Sequence, residues 1–191
     1  MSDAFLKILT GNNPRHMEAA IQDGADIMGD VDNQGRKPLH VVKSPEVAQV
    51  LLQAGADPNA RDQWQRTPLF YADNSQVAHV LLADGADAQA LDHAGRTALF
   101  TVEDADTAQA IIDAGIDVNQ RDNRGFTAFH HSMLNASTDK LGVLLRAGAD
   151  ILGDSPFDIL RSSQRGTEEE QKVIQQAHQE QSKRRQLRRS M

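Results

Sequence analysis

Two groups of side chains have the make-up of a metal or reactive centre. His130 and His131 could ligate a transition metal, and Asp23, Asp26, Asp30 and Asp32 could hold calcium. Adjacent residues on a helix point about 100° apart, and no third ligand stands near the two histidines in sequence, so a zinc-type site is incomplete. The stretch Asp30-Val31-Asp32-Asn33-Gln34-Gly35 opens like a calcium loop, but Gln34 stands at its fifth position and Val41 at its twelfth, where glutamate is needed. There is no cysteine, hence no thiolate site and no disulfide. No serine sits in a G-x-S-x-G turn and no G-x-x-x-x-G-K-[ST] phosphate loop is present. The expectation is a chain that is not an enzyme, with no catalytic residue, no cofactor and no metal.

The aspartates carry a different signal, their spacing. Asp32, Asp62, Asp92 and Asp122 are evenly placed, as are Gly55, Gly85 and Gly115, and the sequence between them repeats. A fixed period of this size marks stacked supersecondary units, none of which buries its apolar face alone. Short acceptors recurring in phase are expected to cap turns. Each turn should lead into a short first helix, with threonine as N-cap and proline at the first helical position. A second helix should follow: Val47, Val50, Leu51 and Ala54 form one stripe, and Gly55 stops it in a left-handed conformation. The pairs Leu81-Leu82, Ile111-Ile112 and Leu144-Leu145 repeat that stripe.

The marks D-x-x-G, T-P-L-H and G-A-D, carried by Asp32, Gly35, Pro38-Leu39-His40, Thr67-Pro68-Leu69, Gly55-Ala56-Asp57, Gly85-Ala86-Asp87 and Gly148-Ala149-Asp150, resemble the ankyrin repeat family. The resemblance covers residues 1–180 and implies an all-α solenoid of helix-turn-helix units with protruding turns. It implies repeats at 32–61, 62–91, 92–121 and 122–154, an N-terminal cap at 1–31 and a C-terminal cap at 155–180. In the N-terminal cap, residues 3–10 and 14–23 should pair, with Asn13 as N-cap. Residues 181–191 read as a basic tail. The family's unit is 33 residues, as in the fourth repeat, whereas the first three are shorter. Five residues separate His40 from Glu46, against eight between His130 and Asp139. The first helix of the short repeats should therefore be clipped at its far end or close in a tighter turn. In T-P-L-H the resemblance gives His40 and His130 a structural role, bonding the turn backbone; Phe70 and Phe100 replace them in the middle repeats, which must be held by packing.

Composition narrows the function classes. Only 39% of the chain is apolar and 4% aromatic, lean for a globular core but enough for a thin solenoid core. Net charge is −7, with −9 over residues 1–166 and +2 over 167–191. An acidic body argues against wrapping nucleic acid and suits a soluble protein, or one that meets a basic protein partner; a monomer is expected. No apolar run approaches a membrane span and no leader is evident, so a cytoplasmic location is expected.

The resemblance implies that partners are bound by the turn tips and the exposed side of the first helices. The candidates are Asn33, Gln34 and Arg36; Gln63, Trp64 and Arg66; His93 and Arg96; Asn123, Arg124 and Phe126; and, before the repeat aspartates, Arg61, Leu91 and Arg121. The column Arg36, Arg66, Arg96 is regular enough for a scaffold role too, bridging to an aspartate of a neighbouring repeat. Trp64, the only tryptophan, is either an exposed anchor or folds back on Arg36 or Arg96. Gln65 stands where other repeats have Gly35, Gly95 and Gly125, which predicts a left-handed residue or a reshaped tip. The functional expectation is a non-catalytic protein-binding module, adaptor or stoichiometric inhibitor. The alternatives are an immunity protein that masks a toxic enzyme and a nucleic-acid-associated regulator using the basic tail.

Overall fold

The computed structural model describes residues 3–150 except Ala136, so the expected C-terminal cap and basic tail lie outside the described residues. All regular structure among the described residues is helical. They belong to two compact bodies, Met1–Asp117 and Val118–Met191, so the expected 1–180 array is described here body by body.

The first body opens with α1 (Asp3–Thr10) and α2 (Pro14–Gln22). Asn13 caps α2: its side chain accepts from the Arg15 N–H at 3.1 Å, and Pro14 takes the first helical position, where a missing N–H costs nothing. The first repeat contributes α3 (Pro38–Val41) and α4 (Pro45–Gln53). In the second and third repeats the first helix is a single 3₁₀ turn, Pro68–Tyr71 and Ala98–Phe100, followed by α5 (Ser75–Ala83) and α6 (Ala105–Asp113). The second body contains α7 (Ala128–Leu134) and α8 (Thr138–Arg146). The seven-residue α7 against three or four residues in the short repeats is the clipping expected from the missing three residues, about one helical turn.

Within the first body the helices form two layers. The longer ones pack in sequence, α2 on α4, α4 on α5 and α5 on α6; the short ones do likewise, α3 on Pro68–Tyr71 and that turn on Ala98–Phe100. The core between them recurs with the repeat: Leu39, Leu69 and Leu99 from the short layer, Leu51, Leu81 and Ile111 from the long one, all buried. The buried stripe of α4 is Val47, Ala48, Leu51 and Leu52 rather than the expected set. Val50 is half-buried, and Ala54 is the exposed C-cap, because the chain has already turned towards Gly55 (φ 93°).

The N-caps divide into two kinds. Each long helix of the repeats in this body has a side-chain cap: Ser44 Oγ accepts from Val47 N–H, Asn74 Oδ1 from Val77 and Asp104 Oδ2 from Thr107, at 3.3, 2.9 and 2.7 Å. The threonine caps expected for the short helices fail in the middle repeats. Thr67 and Thr97 make no capping bond, and their hydroxyls are buried without a protein partner. In the second body Thr127 Oγ1 meets His130 Nδ1 at 2.7 Å. Phe70 and Phe100 occupy the equivalent place in the middle repeats and offer no nitrogen. Those turns are held by packing, with both phenylalanines buried.

Where histidine is present it works as expected. His40 Nδ1 accepts the Lys37 N–H at 3.0 Å, and His130 Nδ1 accepts that of Thr127 at 3.0 Å. His40 Nε2 then lies 3.1 Å from the Arg66 carbonyl, which requires the neutral tautomer with its proton on Nε2 and ties the first repeat to the second. Burial is the main force lowering the pKa of both rings, and that of His130 falls to about 4.

Candidate partner-binding edge

Each repeat begins with a tight turn built on its aspartate. Asp62 Oδ1 accepts two backbone N–H groups, Trp64 at 2.8 Å and Arg66 at 2.9 Å. Asp92 does the same for Ala94 and Arg96 (2.8 and 3.0 Å), Asp122 for Arg124 and Phe126 (2.9 Å each), and Asp32 for Gln34 and Arg36 (2.9 and 3.4 Å). The aspartates are turn caps. The turn then closes on itself, with Asp62 N–H donating to Arg66 O at 3.0 Å and Asp92 N–H to Arg96 O at 2.9 Å. Among the described residues no three His, Cys, Asp or Glu side chains are grouped to hold a metal.

The turn shape demands a left-handed residue three positions after the aspartate. Gly35, Gly95 and Gly125 supply it at φ 71°, 75° and 83°, and Gln65 is forced to φ 64°. Among the described residues it alone has positive φ without being glycine. A side chain in that region costs about 1–2 kcal/mol. The second tip therefore keeps the shape of its neighbours, under strain.

Successive tips of the first body are joined through the backbone. Gln63 N–H donates to Gln34 O at 2.9 Å, and His93 N–H to Trp64 O at 3.0 Å. This leaves a continuous edge with Asn33, Gln63 and His93 exposed and Gln34 and Trp64 half-buried. The loops that lead into the tips are tied by amide side chains that sequence reasoning missed: Asn59 donates to Gly85 O at 2.9 Å and Gln89 to Gly115 O at 3.0 Å. Their regular spacing was the available signal.

The second carboxylate oxygen of each repeat aspartate follows an either-or pattern. In the first and third repeats the arginine four residues on takes it, Arg36 Nε to Asp32 Oδ2 at 2.7 Å and Arg96 Nη2 to Asp92 Oδ2 at 2.7 Å. Burial pushes both carboxyls up, but the bonds from arginine side chain and backbone outweigh it and hold them below the ordinary range. In the second repeat Tyr71, nine residues after the aspartate, donates its hydroxyl to Asp62 Oδ2 at 2.5 Å. In the fourth, His131 at the same offset lies 3.1 Å from Asp122 Oδ2. Val41 and Thr101 stand at that offset in the first and third repeats and leave the oxygen to arginine. The arginine column thus bonds to aspartates of its own repeats, not of neighbours. Arg66 is the exception: with Asp62 occupied, its ion pair is with Asp92 Oδ2, at 3.7 Å.

The remaining candidates separate accordingly. Arg61 donates to the carbonyls of Gln65 and Leu91 at 2.6 and 2.7 Å, and Arg121 to that of Gly125 at 2.7 Å; both brace turns while remaining exposed. Leu91 is 41% exposed, large for an apolar side chain at a tip. In the second body Asn123 and Arg124 are exposed, and Phe126 is half-buried with its ring edge-on to His130 and His131. Trp64 folds back, but onto its own repeat: the Arg66 guanidinium lies 5.2 Å over its ring, not that of Arg36 or Arg96. A cavity of about 270 Å³ beside the first repeat is lined by Ile27, Met28, Leu39, Ala56 and Ala60. Its charged rim is engaged elsewhere, Lys37 with Asp30 and Asp57 with the Asn59 N–H.

Two comparisons bear on this edge. A family model described as ankyrin repeats, in three copies, matches residues 41–122. No curated protein matches the chain.

Proposed function

We propose, from the match of residues 41–122 to the ankyrin-repeat family model, that the chain is a non-catalytic adaptor or stoichiometric inhibitor that holds a protein partner along its turn tips. The observation that carries the reading is the backbone-joined edge. Gln63 to Gln34 and His93 to Trp64 fix the tips relative to one another, so their side chains form a preorganised surface rather than independent loops. The side chains presented there are the kind that binding favours: a half-buried tryptophan, exposed Leu91, and Arg61, which braces the turn while staying exposed. Among the described residues no helix is long and apolar enough to cross a membrane.

The test is capture. The full chain, immobilised, should retain one protein in a near-equimolar amount. A variant carrying Gln63→Ala, Trp64→Ala and His93→Ala together should lose it while melting close to the parent. Equal retention by both would remove the tips from the interface. An enzymatic activity of the isolated chain, abolished by one substitution that leaves the fold intact, would contradict the non-catalytic reading.

A further inference from the structure

Arginine stands at the same place in the first three tips, yet the three are not equivalent. Arg36 and Arg96 are paired with their own aspartates at hydrogen-bond distance. Arg66 is not, because Tyr71 holds Asp62 Oδ2. The Asp92 oxygen 3.7 Å away already accepts from Arg96 at 3.0 and 2.7 Å. The Arg66 Nε is buried with no acceptor, while the side chain as a whole stays 27% exposed. Its guanidinium lies 5.2 Å over the Trp64 ring, a contact that uses its charge and does not itself require an N–H donor. Arg61, exposed on the segment entering the same tip, donates to carbonyls, which leave its positive charge uncancelled.

We propose that the second tip takes an acidic segment of the partner protein, one carboxylate of which is forked on the terminal nitrogens of Arg66 while an adjoining side chain packs on Trp64. This deepens the reading of the tips as the binding edge and rests on it. Carboxylate fits better than phosphate because the site offers one guanidinium, whose ion pair with Asp92 is long at 3.7 Å and shared with Arg96. A dianion there would meet stronger repulsion from that carboxylate and from a body carrying −9 over residues 1–166. The net charge draws a basic partner from a distance; the tip selects a carboxylate at contact.

Trp64 is the only tryptophan, so its emission reports this site directly. The full chain would be titrated with a blocked pentapeptide of alternating glutamate and leucine, its glutamine counterpart, and a counterpart with phosphoserine for glutamate. The glutamate peptide should give a saturable change. The glutamine peptide should bind about tenfold more weakly or worse, as should the glutamate peptide to Arg66→Met, which corresponds to losing one charge-assisted bond. Arg15→Met, on the exposed face of α2, should leave the curve unchanged. Should Arg66→Met fail to fold, Arg66→Lys keeps the charge without the fork and should still weaken binding. No saturable change, equal binding of the glutamine peptide, an unaffected arginine variant, or tighter binding of the phosphoserine peptide would each overturn the proposal. If the peptides fail while the triple tip variant still loses the whole partner, only the carboxylate assignment falls. If that variant keeps the partner, the tip reading falls whatever the peptides do.

Discussion

Replacing Tyr71 with phenylalanine should cost far less than the bond it removes. The hydroxyl donates to the buried Asp62 carboxylate, and a hydrogen bond to such a group is worth about 1.5–3 kcal/mol when nothing replaces it. Phenylalanine keeps the ring contacts with His40 and Arg36. A replacement donor stands ready. Arg36 and Arg96 show that an arginine four residues after the aspartate reaches its Oδ2, so Arg66 should swing from Trp64 to Asp62. The net cost of Tyr71→Phe should then stay below about 1 kcal/mol, with a change in tryptophan emission as the ring loses its cation. Arg66→Met alone should cost about 0.5 kcal/mol, the loss of a partly exposed stacking contact. Together the two leave Asp62 Oδ2 without a donor, and the cost should rise to about 2–3 kcal/mol. The coupling should thus exceed about 0.5 kcal/mol, and the double variant should melt about 5 °C or more below the parent. Additivity within about 0.5 kcal/mol, or an unchanged emission in Tyr71→Phe, would refute the either-or account of the aspartate oxygen.

Three further outcomes follow from the same geometry. Gln65→Gly should raise stability by about 0.5–1 kcal/mol, the relieved strain less the backbone entropy of glycine, as read from urea unfolding; a loss would mean the tip is not strained. Thr67→Val should be neutral or stabilising because its hydroxyl has no partner, whereas Thr127→Val should cost about 1 kcal/mol, and equal costs by thermal melting would contradict the reading of the two caps. Burial lowers the folded-state pKa of His40 and His130, so the unfolded chain binds protons first and stability is complete above about 6.5. It should fall as pH drops towards 4, by up to about 1.4 kcal/mol per pH unit for each histidine, and His130→Gln should flatten the midpoint-versus-pH curve over that range.

Much of the scaffold was legible in the sequence because it depends on local rules. The in-phase aspartates announced turn caps, since a short carboxylate can reach N–H groups two and four residues ahead in one turn type. The five residues after His40, against eight after His130, announced the clipped helices. The glycines at 35, 95 and 125 announced that Gln65 would be left-handed or its tip reshaped, and the structure shows the first. What was not legible depended on competition between side chains. Arginine four residues after the aspartate and tyrosine nine residues after it can both reach the same oxygen, and only the packed structure shows that Tyr71 wins over Arg66. Of the two readings of Trp64, the fold-back one named Arg36 or Arg96 for the same reason: the freeing of Arg66 two positions away was invisible. The threonine caps misled because their hydroxyl is held by the histidine three residues on, so losing that histidine at Phe70 and Phe100 strands Thr67 and Thr97 as well.

Trp64→Ala tests the central claim most directly, by calorimetric titration of the captured partner beside a thermal melt of the free chain. Its contact with Arg66 is partly exposed and contributes about 0.5–1 kcal/mol, so the midpoint should move by only a few degrees. As an interface anchor its truncation should cost about 2 kcal/mol or more, roughly thirtyfold in affinity. A midpoint that falls by many degrees while the affinity holds would make Trp64 part of the scaffold and contradict binding at the tips.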